Sequence, residues 1–421
     1  MLTRRRFAGL LAGALAAPDF VWPTTTGARG KTVLYSGAGP ELSCYAVEVA
    51  AASLEKRGAV ELLSNVQYAW PHPSREFLYV SSSDGGPGQR GSKHYVTAFQ
   101  VDSASGDLRP HGDPIALRSR PIHNSVDRAG EYLLVAYNDP SGVSVHRIAA
   151  DGSIGAEIAQ PKDLDCGFYG HQIFATPSGR SVLLVTRGSD ATANRPEDPG
   201  SIKVFGFNRG LLENKQSVQP GKGLGFGPRH LDFHPTRPWV YVSIERQNKL
   251  YVYELTPDGG LKATPLFIKD TLAKPSLGNT IAGPIHVHPN GKLVYLTNRG
   301  GWPTGAEPTG ETLEGMPVYQ STDSSIAVFA IDQGTGEPTL MQQIDAHGAH
   351  PRTFSIDASG RVLIAASLGP MALREGGQNR VVPAGLSVFR IEQDGGLKYA
   401  RRFDVETGDK TQFWSGMVEL A

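Results

Sequence analysis

One pattern recurs along almost the whole chain, and it limits the fold more than any single motif does. The unit is an apolar strand, a Pro or Asp-x-Gly turn, a Leu-Tyr-Val-like strand, a short loop, a Val-x-Val-Phe-like strand and an Asp-Gly turn. Residues 120–154 read RPIHNSVDRAGEYLLVAYNDPSGVSVHRIAADGSI, and residues 228–262 read PRHLDFHPTRPWVYVSIERQNKLYVYELTPDGGLK. Residues 350–399 open with HPRTFSIDASGRVLIAAS and close with GLSVFRIEQDGGLKY; 66–108, 170–213 and 283–339 fit the same frame. The second-strand cores are Leu78-Val80, Leu133-Val135, Leu183-Val185, Val240-Val242, Val294-Leu296 and Leu363-Ala365, spaced by 55, 50, 57, 54 and 69 residues. A seventh unit is split. Its middle strands are Thr32-Tyr35 and Cys44-Val49, and Gln412-Val418 at the far end supplies the missing one.

Alternating β-branched and aromatic strands with Asp-Gly turns specify antiparallel sheet. Four strands per unit and seven units specify an all-β, seven-bladed β-propeller, its ring closed by pairing the N- and C-terminal strands. Two β-sandwich domains are the competing architecture. The Trp-Asp signature of one propeller class is absent, since Trp22, Trp70, Trp239, Trp302 and Trp414 are not followed by Asp.

Composition agrees. Of 421 residues, 50 are Gly and 30 are Pro, and only 19% are charged, which argues against a long-helix protein. Lys+Arg and Asp+Glu are 41 each, so no bulk charge favours nucleic acid. The exception is the start. Residues 1–17 carry Thr3-Arg4-Arg5-Arg6-Phe7, a short apolar run and Ala14-Leu15-Ala16, which looks like a twin-arginine export signal with a small-residue cleavage site. Residues 18–30 form a linker and 31–421 the propeller. The expected location is periplasmic or extracellular, with membrane contact only through the signal. Cleavage leaves 38 − 41 = −3 charges. Cys44 and Cys166 fall in distant blades, so free thiols are expected despite the oxidising compartment.

Two insertions, 300–323 and 369–384, are rich in Gly and Pro and follow second strands; they are expected as long loops on one rim. There is no Gly-x-Ser-x-Gly elbow and no His-Glu-x-x-His, and Gly221 to Pro228 lacks the Lys-Ser/Thr of a phosphate loop. His72, His234 and His288 each precede a proline in the first turn of a unit, which marks them as turn residues. His286-Val-His288 invites a zinc reading, but a zinc site needs three or four ligands. No metal and no cofactor is expected.

The remaining polar residues sort by repeat position. His171, Arg229 and Arg352 stand eight before the turn Gly or its equivalent, and His123 and His230 stand seven before it. All belong to innermost strands, which line a propeller's channel. Asn138, Arg187, Glu245 and Arg299 lie just past second strands, where the loop crosses one rim. A chain with few charges that gathers His, Arg and Glu near its axis builds a polar pocket.

At this point the sequence resembles the seven-bladed lactonase family, which includes propeller-type 6-phosphogluconolactonases and the fungal carboxy-muconate lactonizing enzyme. The likeness rests on HQIFATPSGR, on GPRHLDFHP followed by VYVSIERQNKLYVYE, and on GPIHVHPNGKLVYLTNRG followed by SIAVFAID, and covers about residues 31–418. It implies an active-site set of one His, two Arg and one Glu. By motif these are His171 in HQIF, Arg229 in GPRH, Glu245 in SIERQN and Arg299 in TNRG. His123, Asn138, Arg187, His230, His286 and Arg352 are then the expected substrate-binding residues. The chain departs from the family at the 300–323 insert and at Arg187-Gly188, where many relatives have an acidic residue.

The resemblance implies hydrolysis of a lactone, sugar-derived, without a metal. His171 or Glu245 would take the proton of the attacking water. Arg229 or Arg299 would stabilise the carbonyl oxygen's charge or hold an anionic substituent. Two alternatives use the same scaffold: ring closure on a muconate-like diacid, and an exported propeller that binds a ligand or protein without catalysis. The expected partner in the main reading is a small lactone or anionic substrate, with no nucleic acid.

Overall fold

A computed structural model describes residues 30–274, 280–300, 308–321 and 323–421. The proposed signal and most of the linker lie outside the described residues. Seven four-stranded antiparallel sheets form the body, one per repeat unit, with a short extra strand on the first. The innermost strands are Val66–Pro71, Pro121–Val126, Gly170–Ala175, Pro228–Phe233, Thr280–Val287, Pro351–Ile356 and Gln412–Glu419. The last of these comes from the C-terminus and pairs with Thr32–Ala38, with Val33 opposite Val418 and Ser36 opposite Ser415. The seventh blade is therefore made from both ends of the chain, as the split repeat implied.

Period-two alternation explains how blades stack. In the strand Trp239–Ile244, Val240, Val242 and Ile244 pack on Leu183 and Val185 of the preceding blade. Trp239 and Tyr241 point the other way, onto Val294 and Leu296 of the next. Both faces of a central strand are thus buried, which gives an apolar run instead of a half-polar alternation. The same contact recurs around the ring: Tyr79 with Leu133, Leu134 with Val182, Tyr295 with Leu363, Ile364 with Leu34, and Tyr35 with Leu78. The last two pairs join the split blade to its neighbours on both sides.

The repeated histidines and tyrosines fasten these interfaces. Nε2 of His72, His234 and His288 lies 3.0, 2.8 and 2.9 Å from the carbonyl oxygen of Gly130, Gly291 and Gly360 in the next blade. Backbone amides of Thr236 and Arg237 donate to His234 Nδ1, so Nε2 carries the proton and donates to the carbonyl. Gly291 has φ +70°, and a Cβ there would lie 2.8 Å from the His234 ring. Tyr35, Tyr79, Tyr241 and Tyr295 similarly donate to the carbonyls of Gly106, Gly152, Gly336 and Gly395. Cys44 and Cys166 are both free.

The two insertions are not bare loops. Their described parts form two hairpins, Pro308–Leu313 with Met316–Gln320 and Met371–Glu375 with Gln378–Val382. The hairpins join through parallel pairing of Val318-Gln320 with Ala372-Arg374 into an accessory four-stranded sheet. Met371, Leu373 and Val382 bury against Ala349 beneath it.

Candidate active site

Each innermost strand loses register with its neighbour, close to its N-terminal end in all but Thr280–Val287, where the break is central. The breaks flank Gln67, Ile122, His171, Arg229, Gly283-Pro284, Arg352 and, in the closing strand, Phe413. A bulge inserts one residue and re-aims its side chain. His171, Arg229 and Arg352 are therefore bulge residues at one level of the axis. Second strands run antiparallel to these, so their C-terminal ends reach the same rim. There the Glu245 amide donates to Gly227 O at 2.8 Å and the Arg187 amide to Tyr169 O at 2.9 Å. Tyr169, Gly227 and His350, each just before an innermost strand, all have φ between +51° and +57°.

Glu245 is the hub of this rim. Arg187 Nε donates to its Oε1 at 2.7 Å, and Arg299 Nη2 donates to its Oε2 at 2.8 Å. Arg229 Nε stands 3.0 Å from the same Oε2. Arg299 also donates to Ala282 O at 3.0 Å, and Arg187 to Asp190 at 3.1 Å. The exposures of Arg229, Arg299 and Glu245 are 1%, 2% and 4%, so the charges are out of water. Burial pushes the Glu245 carboxyl up, but Arg187, Arg299 and Arg229 together hold it well below the usual carboxylate range. Burial and the Arg299 charge push Arg229 down to about 9, which leaves it cationic at neutral pH.

His171 is neutral. Burial and then the Arg229 charge push it well below the usual imidazole range, against the opposing pull of Glu245. Its Nδ1 has no hydrogen-bond partner among the described residues, and neither do Arg229 Nη1 and Arg299 Nε. Its ring meets His230 edge-on at 5.1 Å. Arg352 Cζ sits 3.5 Å from the Phe413 ring centroid, and its Nε donates to Phe413 O at 3.2 Å.

The expected residues divide accordingly. His171, Arg187, Arg229, Glu245 and Arg299 come together, with His230 beneath and Arg352 on the same bulge level. Arg187 is committed to Glu245 and Asp190 instead of being free for a substrate. Asn138 accepts from Arg120 Nη1 at 3.2 Å and donates to Gly170 O at 3.1 Å, so its amide braces the rim. His123 is fully buried, against the Tyr68 ring at 4.1 Å and the Phe174 ring at 5.1 Å. His286 does not join the arginines. Arg299 pairs with Ile281, but His286 pairs with Tyr295, four residues down the strand and roughly 14 Å away at ~3.4 Å per residue. There its Nδ1 stands 3.6 Å from Asp232 Oδ2.

Arg120, His350, Gln67 and Phe413 belong to the rim although no motif marked them. Arg120 donates to Gln67 Oε1 at 2.9 Å, and its Cζ lies 5.5 Å from the Phe413 ring centroid. His350 Nε2 stands 3.5 Å from Arg299 Nη1. The signal that finds them is the bulge position itself and the residue just before each innermost strand. Among the described residues no group of three or more His, Cys, Asp or Glu is arranged to hold a metal ion.

The chain is similar to several known proteins. The 6-phosphogluconolactonase of Bacillus subtilis is 25% identical over 340 residues, covering 77% of this chain and 85% of that protein. The 6-phosphogluconolactonase of Pectobacterium atrosepticum is 28% identical over 315 residues, covering 73% and 79%. The periplasmic gluconolactonase PpgL of Pseudomonas aeruginosa superposes with a TM-score of 0.69 at 21% identity, over 93% of this chain and 100% of that one, and shares the fold. The lactonase class expected from the resemblance is borne out by these relatives. The family model "Lactonase, 7-bladed beta-propeller" matches residues 30–368, and the chain belongs to that family.

Proposed function

We propose that the chain is an exported hydrolase that opens a lactone, sugar-derived as the names of its curated relatives imply, at the His171–Arg229–Arg299 rim. The observation that carries this reading is a neutral buried imidazole with a partnerless Nδ1, set among guanidiniums that keep partnerless N–H groups. A buried N–H without a partner is costly unless a ligand satisfies it.

His171 is the base. It takes a proton from water while the water oxygen bonds to the lactone carbonyl carbon. The carbonyl oxygen becomes negative and accepts from Arg229 and Arg299, whose positions are set beforehand. Collapse of this intermediate breaks the ring C–O bond. The proton on His171 passes to the departing alkoxide, and a hydroxy acid leaves. Glu245 is a positioning residue: its two oxygens are occupied by Arg187, Arg299 and Arg229, whereas His171 Nδ1 is free to accept a proton. Arg352 is placed to hold an anionic substituent on the substrate. Export through Arg4 and Arg5 puts the reaction outside the cytoplasm.

A pH-stat screen over neutral, acidic and phosphorylated sugar lactones tests the reading. Acid release by the wild type and its loss in His171→Ala support it. No turnover of any lactone, or full turnover by His171→Ala, overturns it.

A further inference from the structure

The Glu245 carboxylate serves only one side of the rim. Arg187, Arg229 and Arg299 share it, but neither Arg120 nor Arg352 forms an ion pair among the described residues. Arg120 is 2% exposed. Its Nε and Nη1 donate to the amide oxygens of Gln67 and Asn138, and its Nη2 has no hydrogen-bond partner among the described residues. Arg352 commits its Nε to Phe413 O. Both guanidiniums lie against the Phe413 ring, with Cζ 5.5 and 3.5 Å from its centroid. Burial pushes Arg120 down to about 10, so it stays cationic at neutral pH. Arg352 is pushed well below its ordinary value, by burial and then by the charges of Arg229, Arg299 and Arg120. The pair adjoins the catalytic groups. Arg120 and His171 open the innermost strands of successive blades, and Asn138 ties them: it accepts from Arg120 and donates to the carbonyl of Gly170, the residue before His171. In the other direction round the ring, only the strands of Gln67 and Phe413 separate Arg120 from Arg352, whose charge also reaches His171. His171, Arg120 and Arg352 thus bound one hollow.

Two like charges held out of water without a carboxylate are costly, and an anion between them offsets that cost. The donors left over suit a carboxylate. Nη2 of Arg120 and the Nη edge of Arg352 flank one flat ring and match two coplanar oxygens. A phosphate would bury a third oxygen with no donor on this side. We infer that Arg120 and Arg352 clamp a carboxylate at the end of the substrate remote from the lactone carbonyl, so that the preferred substrate is the lactone of a sugar diacid. The inference rests on the lactone-hydrolysing reading for its catalytic part. It makes Arg120, which belongs to none of the motifs in the sequence, a specificity-determining residue.

The test compares D-glucarolactone, D-glucono-δ-lactone and the 6-phosphate of the latter in the pH-stat, using the full-length protein, Arg120→Gln and Arg352→Gln. The wild type is expected to favour glucarolactone over gluconolactone at least tenfold in kcat/KM, and each substitution to cut that ratio at least tenfold. A bracing role alone would lower both substrates alike, so an unchanged ratio overturns the inference. A wild type that prefers the neutral or the phosphorylated lactone also overturns it, and leaves the lactonase reading standing. Calorimetric titration with D-glucarate and D-gluconate reads the clamp without catalysis. The diacid is expected to bind at least tenfold tighter, and to lose that margin in both variants. If no lactone is opened, the lactonase reading fails, and the titration still decides the clamp: equal binding of the two acids, or a margin kept in both variants, overturns it. Arg352 is partly exposed, so Arg352→Gln carries the test should Arg120→Gln fail to fold.

Discussion

Arg299 Nη2 donates to Glu245 Oε2 at 2.8 Å, although the two side chains belong to different blades. With Arg187 on the other oxygen and Arg229 alongside, one carboxylate sets the place of three guanidiniums. Glu245→Gln keeps the shape and removes the charge. Two buried cations and the partly exposed Arg187 then lose their common anion, and breaking a buried pair costs about 3–5 kcal/mol. Denaturant unfolding is expected to show a loss of that order, together with loss of turnover. Lost turnover with stability intact would instead make Glu245 the base.

His171 carries no structural hydrogen bond at Nδ1. His171→Ala is therefore expected to lower kcat by roughly 10²–10⁴, the usual worth of a general base, while the melting temperature moves little. A loss of less than tenfold in steady-state assays would place the base elsewhere.

The pH dependence follows from burial. His123, His171, His230 and His350 are all pushed well below their ordinary value, first by burial and then by arginine charge. Below the unfolded value of about 6.5, the unfolded chain binds protons that the folded chain refuses. Stability is thus full above that pH and falls as pH drops beneath it. Glu245 adds the same sign lower down: its contribution is present above about 4.5 and lost in stronger acid. For kcat/KM the neutral His171 predicts a flat profile from pH 8 down past 6.5, with the acid limb below that. A pH–rate profile that breaks at 7 would contradict the assignment.

Tyr241 and Tyr295 fasten successive interfaces, to Gly336 O at 3.0 Å and Gly395 O at 2.8 Å. Each Tyr→Phe substitution is expected to cost about 1 kcal/mol, since a buried carbonyl loses its donor. Chemical denaturation of the double variant tests whether the two costs add, as they do for independent sites.

The paired arginines at the start make a separable claim. Arg4→Lys together with Arg5→Lys is expected to keep the protein in the cytoplasm with its fold intact, as cell fractionation would show. Unchanged export would remove the twin-arginine assignment.

Much of this was legible in the chain because propeller blades repeat. Local periodicity placed Leu78-Val80 and its counterparts in central strands, His72, His234 and His288 in turns, and Gln412-Val418 beside Thr32-Tyr35. Repeat position also gathered His171, Arg229, Glu245 and Arg299 on one rim, because equivalent residues of a closed ring share a level. It gave no position for His286, which the register break at Ala282/Ile285 and the length of that strand put lower down the axis. It also missed Arg120 and His350, whose importance depends on neighbours in other blades.

How charges and strands far apart in sequence meet depends on the packing of the folded ring. The insertions looked like loops because the parallel ladder of Val318-Gln320 with Ala372-Arg374 joins segments that no local pattern connects. By residue type Glu245 is as fit to be a base as His171; the three arginines around it decide otherwise. Periodicity along the chain is enough to say which residues reach the axis. The tertiary structure decided what each does there, because a buried ionisable group's protonation and partners depend on every charge that surrounds it.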